Sequence, residues 1–86
     1  MYGLSEEIIE TLKIIEKNNN VKIYIFGSRA RGDYKEYSDI DICITEEVDQ
    51  KRRYKIMTHH KIDLIFIQDV KNEEFIKNID RDKKEI

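Results

Sequence analysis

Asp39-Ile40-Asp41 opens an alternating run that reaches Ile44. In extended chain, residues two apart point to the same side, so both carboxylates share a face with Cys43 while Ile40, Ile42 and Ile44 share the other. Two carboxylates at that spacing repel and raise one another's pKa unless a cation lies between them. Oxygen donors alone suit a hard divalent ion, Mg²⁺ or Mn²⁺. Asp63 sits in the otherwise apolar run Ile62-Asp63-Leu64-Ile65-Phe66-Ile67, where a charge needs a partner. If that run forms a strand beside the Asp39 strand in register, three carboxylates converge.

A second group of residues suits an anion. Gly27-Ser28 follows the run Val21 to Phe26. Glycine lets the backbone turn sharply and approach a ligand closely. The helix start that follows presents free backbone N–H groups and a hydroxyl. Arg29 and Arg31 add positive charge suited to phosphate oxygens. A phosphate cradle facing carboxylates and a metal describes a site for phosphoryl or nucleotidyl transfer, in which metals neutralise developing charge and align the attacking and leaving oxygens.

The elements that must position these residues are legible in outline. Leu4, Ile8, Ile9, Leu12 and Ile15 recur at helical spacing, with Ser5 as N-cap, two glutamates in the first turn and a stop at Asn18-Asn19-Asn20. Val21 to Phe26 reads as a strand, and Ser28 to about Tyr34 as a short helix closed by Gly32. Asp39 to Ile44 is the second strand, Glu46 to about Thr58 a weakly periodic helix, and Lys61 to Ile67 the third strand. Asn72 caps a final helix marked by Phe75, Ile76 and Ile79, with Lys83 and Lys84 near its end. The expected fold is α/β (α+β), ordered α-β-α-β-α-β-α. It has a small mixed sheet of about three strands, helices mainly on one face, and the carboxylates on the more open face.

The 86 residues are read as one domain, 1–86, with a limited core. Charged residues make up 40%, yet 16 basic and 18 acidic residues leave a formal net charge of −2. That balance gives no global attraction to nucleic acid or to an anionic membrane. There is no membrane-length apolar run and no signal-peptide pattern. Cys43 is the only cysteine, which excludes an intrachain disulfide and fits a reducing cytoplasm. Cys43 is read as a small buried residue and Lys51-Arg52-Arg53 as a solvated helix face. Tyr34 and Tyr37 lie in the loop over the site, placed either to stack on a base or simply to face solvent. Adjacent side chains such as His59-His60 diverge, which argues against a shared metal there.

With these residues in view, the chain resembles a known superfamily. Gly27-Ser28, ten intervening residues and Asp39-Ile40-Asp41 look like the signature of the DNA polymerase β-like nucleotidyltransferases. Phe-Gly-Ser-Arg-Ala-Arg-Gly-Asp (26–33) followed by Ser-Asp-Ile-Asp (38–41) is similar to its minimal nucleotidyltransferase (MNT) branch. The similarity runs from about residue 21 to the last helix, and Asp63 falls where the family places its third carboxylate. The resemblance implies that Asp39 and Asp41 ligate two Mg²⁺ ions and that Asp63 completes the catalytic one and helps deprotonate the attacking hydroxyl. It also implies that Gly27 and Ser28 hold the β- and γ-phosphates of ATP, and that attack at the α-phosphorus expels pyrophosphate.

Larger superfamily members carry an added acceptor-binding domain. None is evident after the last helix, which suggests that the acceptor is held by a partner or across a homodimer. The minimal branch commonly pairs with a helical HEPN-family protein. Many such pairs are toxin–antitoxin systems in which the nucleotidyltransferase attaches AMP to a tyrosine of the HEPN RNase. The resemblance therefore implies an antitoxin with protein adenylyltransferase activity. Two alternatives stay open: a non-catalytic module that blocks its partner sterically, and nucleotidyl transfer to a small molecule.

Overall fold

A computed structural model describes residues 2–56 and 62–86. Helix α1 spans Glu6–Asn19; the Ser5 side chain caps it by accepting from the Ile8 N–H, and Asn20 ends it in the left-handed conformation. Its apolar stripe buries Leu12 completely and packs Ile8, Ile9 and Ile15 against the sheet. Strand β1 is Ile23–Phe26, and helix α2 is a single turn, Ser28–Arg31, closed by Gly32 at φ 93°. Strand β2 is Ile40–Ile44. Helix α3, Gln50–Lys55 with Asp49 as cap, is shorter than the 46–58 expected from sequence. Strand β3 is Ile62–Phe66, followed by a 3-10 turn at Ile67–Asp69. Helix α4, Glu73–Asp82, is capped by Asn72, whose side chain accepts from the Phe75 N–H. His59-His60, the expected end of α3 near Thr58 and the expected start of β3 at Lys61 lie outside the described residues.

The sheet is mixed, as expected, but has four strands in the order β3-β2-β1-β4. The fourth, β4 at Lys84–Glu85, pairs antiparallel with β1 through Tyr24↔Glu85 and Ile25↔Lys84. Two charged residues in a row carry no strand signal, because this edge is specified by backbone pairing and not by an apolar face. β1 and β2 run antiparallel, while β2 and β3 run parallel.

Alternation divides the core between the two faces of the sheet. Ile23, Ile25, Ile40, Ile42 and Ile44 face α1 and the segments flanking α3, where Val48 and Ile56 close the layer. The opposite face carries a smaller cluster, in which Ile79 of α4 covers Phe26 and Cys43. The face that carries the carboxylates is therefore less open than the sequence suggests, because α4 folds over part of it. Cys43 is fully buried there, as expected. Arg52 and Arg53 do not form a simple solvated face: the Arg52 guanidinium donates to the Asn19 carbonyl. Arg53 donates to both oxygens of Asp69, at 2.7 and 2.9 Å, and stacks over Phe66. No helix among the described residues is long and apolar enough to cross a membrane.

Candidate active site

Three strands place the central carboxylates. Asp41 pairs with Phe26 across the antiparallel ladder and with Asp63 across the parallel one. Phe26, Asp41 and Asp63 thus form one row across the sheet. Neighbouring strands are about 4.8 Å apart, and alternation directs Asp41 and Asp63 to the α4 face because Ile40, Ile42, Ile62 and Leu64 occupy the other. Asp39 lies just before β2, exposed, in a groove it shares with Gly3, Ser5, Tyr37 and Ser38. Its charge still reaches the row. Burial raises the Asp41 pKa above its ordinary 3.8, and the negative charges of Asp63 and then Asp39 raise it further, against the opposing pull of Arg31.

Gly27 follows β1 at φ 74° and ψ −153°, a region open essentially only to glycine. A Cβ at this position would lie 2.6 Å from Asp41 Oδ2. Glycine is thus required both for the conformation and for the space beside the carboxylate. The α2 ladder begins with the Arg31 N–H donating to the Gly27 carbonyl at 3.1 Å, so the amides before it have no helical acceptor.

These groups open into a cleft of about 380 Å³ floored by Phe26. Gly27, Ser28, Arg31 and Asp41 form one wall; Phe75, Asn78, Ile79, Arg81 and Asp82 of α4 form the other. Asp82 bridges the walls: its Oδ2 accepts from Arg31 Nη1 at 3.4 Å, and its Oδ1 from Arg81 Nε at 3.1 Å. The Arg81 hydrogen bond holds the Asp82 carboxyl below its ordinary range.

The structure assigns Arg29 differently from the phosphate-binding role expected of it. Its guanidinium is buried and donates to the carbonyls of Tyr2 and Gly3, each at 3.3 Å, and of Ser38 at 2.9 Å. A buried guanidinium needs acceptors, and these three carbonyls supply them, which ties the N-terminal turn to the residue before Asp39. Tyr34 packs over this guanidinium, 5.0 Å from its ring centroid, instead of over the cleft. Tyr37 is exposed beside Asp39.

Among the described residues, no three acidic, imidazole or thiol side chains stand close enough together to hold a metal ion. The donor chemistry nonetheless fits a hard cation. Asp41 is a partly buried carboxylate with two acidic neighbours, and carboxylate oxygens are the ligands Mg²⁺ takes. Asp41 and Asp63 sit on adjacent backbone positions, so rotation about their side-chain bonds is enough to bring them together.

Sequence reasoning missed the α4 wall. Phe75, Asn78 and Asp82 stand at helical spacing i, i+3 and i+7, which marks one face. Nothing in the sequence states which side of the sheet that face covers.

Comparison with known proteins agrees with this geometry. The profile of the nucleotidyltransferase domain family matches residues 6–86. A protein of Methanocaldococcus jannaschii, named as an inferred protein adenylyltransferase, is 50% identical over 44 residues, which is 51% of this chain and 44% of that protein. The match thus spans less than half the length of that relative. The crystal structure of an inferred nucleotidyltransferase from Sulfolobus solfataricus superposes with a TM-score of 0.56 at 27% identity, covering 92% of this chain and 78% of the other.

Proposed function

This chain belongs to the nucleotidyltransferase domain family, and from that premise we propose that it is a Mg²⁺-dependent protein adenylyltransferase that moves AMP from ATP to a hydroxyl on a partner protein. One observation carries the reading: Asp41 and Asp63 are direct neighbours in the sheet, with Gly27 packed against Asp41 in the same cleft.

Asp41 and Asp63 would hold the cation once their side chains rotate toward one another, and Asp39 would complete the set by turning in from its own groove. When bound, the cation supplies charge neutralisation at the α-phosphate and the departing pyrophosphate. Gly27 and Ser28 hold the polyphosphate through the open amides at the start of α2, and Arg31 adds a positive charge at the cleft wall. The acceptor oxygen forms a bond to the α-phosphorus as the bond to the pyrophosphate oxygen breaks. Asp63, exposed at the end of the row, accepts the hydroxyl proton and passes it to solvent.

The protein acceptor is supported by the name of the Methanocaldococcus relative. A tyrosine of a HEPN-family toxin is the acceptor that the minimal-branch resemblance favours, which makes the chain an antitoxin. The test is incubation with α-labelled ATP, Mg²⁺ and a co-expressed HEPN partner, followed by mass spectrometry. Label on a partner tyrosine, lost with Asp39→Ala/Asp41→Ala, is the expected result. Neutralisation of the partner that survives this double substitution would instead mean that binding alone suffices.

A further inference from the structure

The cleft is polarised along α4, and we propose that this polarity fixes the direction in which the nucleotide lies. The nucleoside rests on Phe75 and Asn78, and the polyphosphate lies between Arg31 and Arg81, which Asp82 holds in place. This rests on the nucleotidyl-transfer reading above and adds a recognition wall to it.

Phe75 is a large apolar side chain left 38% exposed at the rim of the cleft. Its ring does not hang free: buried Phe26 meets it in a T-shaped contact, with centroids 6.3 Å apart and planes at 73°. That contact fixes the orientation of the ring, and its exposed part at the rim is open to a planar partner. Stacking on an aromatic ring is sequence-tolerant because every base has a π-face. Asn78, one turn further along the same face, is exposed and carries both a donor and an acceptor, the complement of a base edge.

At the other end of the helix the chemistry reverses. Among the described residues, Arg81 and Arg31 are the cationic side chains that line the cleft, and they converge on Asp82 from opposite walls. Arg31 also meets Asp33 at 3.4 Å, so the two guanidiniums are held by carboxylates on both sides beside the Ser28 helix start, and their remaining N–H donors are what a phosphate would take up. Phe75 and Arg81 are six residues apart, about 9 Å along the helix axis, a separation that accommodates a nucleoside at one end and its phosphates at the other. Asp41 lies on the facing wall. Arg81 is thus assigned as a phosphate-binding residue, Asp82 as its positioning residue, and Phe75 and Asn78 as the nucleoside platform.

The test is titration calorimetry with Mg²⁺–ATP and with Mg²⁺–tripolyphosphate, which shares the phosphates and lacks the nucleoside. Phe75→Leu is expected to weaken ATP about tenfold and leave tripolyphosphate within twofold. Asn78→Ala, which does not touch the Phe26 contact, should lower ATP binding about threefold and again spare tripolyphosphate. Arg81→Gln should weaken both ligands by the same factor. ATP binding unchanged in Phe75→Leu and Asn78→Ala, equal weakening of both ligands by Phe75→Leu, or tripolyphosphate binding unchanged in Arg81→Gln overturns the assignment. In each case wild-type ATP binding leaves nucleotidyl transfer intact. Wild type that binds neither ligand overturns both.

Discussion

Replacing Gly27 with alanine separates conformational strain from damage to the site. At φ 74° and ψ −153° a residue with a side chain costs about 1–3 kcal/mol. The new methyl also arrives 2.6 Å from Asp41 Oδ2, where ordinary contact begins at 3.4 Å. Asp41 must therefore retreat by about 0.8 Å, and a misplacement of about 1 Å in a reacting site costs roughly 100-fold in rate. Gly32→Ala is the control: its φ is 93°, but a Cβ there meets nothing within 4 Å. It should lose about 1 kcal/mol of stability and keep transfer within about twofold of wild type. Urea unfolding gives the stability of each variant, and label transfer from α-labelled ATP gives the rate. Gly27→Ala should lose about 4–8 °C of melting temperature per kcal/mol and roughly 100-fold in transfer rate. A Gly27→Ala protein that matched Gly32→Ala in both measurements would refute the packing of Gly27 on the carboxylate.

Arg29→Met should destabilise the fold by about 2–4 kcal/mol in urea, since three carbonyls lose a charged donor. ATP affinity of the folded fraction should stay within about threefold because Arg29 does not line the nucleotide cleft. Asp41→Asn, measured in EDTA, should raise stability: it removes a charge whose ionisation burial, Asp63 and Asp39 all disfavour. Transfer in Mg²⁺ should fall by more than about 100-fold with the same substitution. Burial pushes the Cys43 thiol from 9.0 up to about 11. A raised folded pKa contributes stability that is present below pH 9 and lost as pH climbs through 11, by an order of 2 kcal/mol. Unfolding at pH 8, 9.5 and 11 should show that decline in wild type, and Cys43→Ala should lack its share of it.

The sequence by itself determined the local elements and the residue types of the site. The Ser5 and Asn72 caps, the glycine stop at Gly32 and the alternation through Ile40, Ile42 and Ile44 all act over a few residues, so their outcome is written in the order of the chain. The spacing of Gly27-Ser28 and Asp39-Ile40-Asp41 likewise announced an anion cradle beside carboxylates. Whether Asp63 joined them depended on strand register, and a shift of one residue would have turned it to the other face. Only the parallel pairing of β2 and β3 decided that Asp41 and Asp63 are neighbours. Tertiary structure likewise separated two arginines that look alike in sequence. Arg29 turns inward to three backbone carbonyls, while Arg31, half a turn later on the same short helix, faces the cleft and Asp82. The α4 wall and the β4 edge were equally hidden, for one physical reason. A helix face or a backbone edge shows in the sequence what it can bury or bond, while its partner is chosen by elements dozens of residues away.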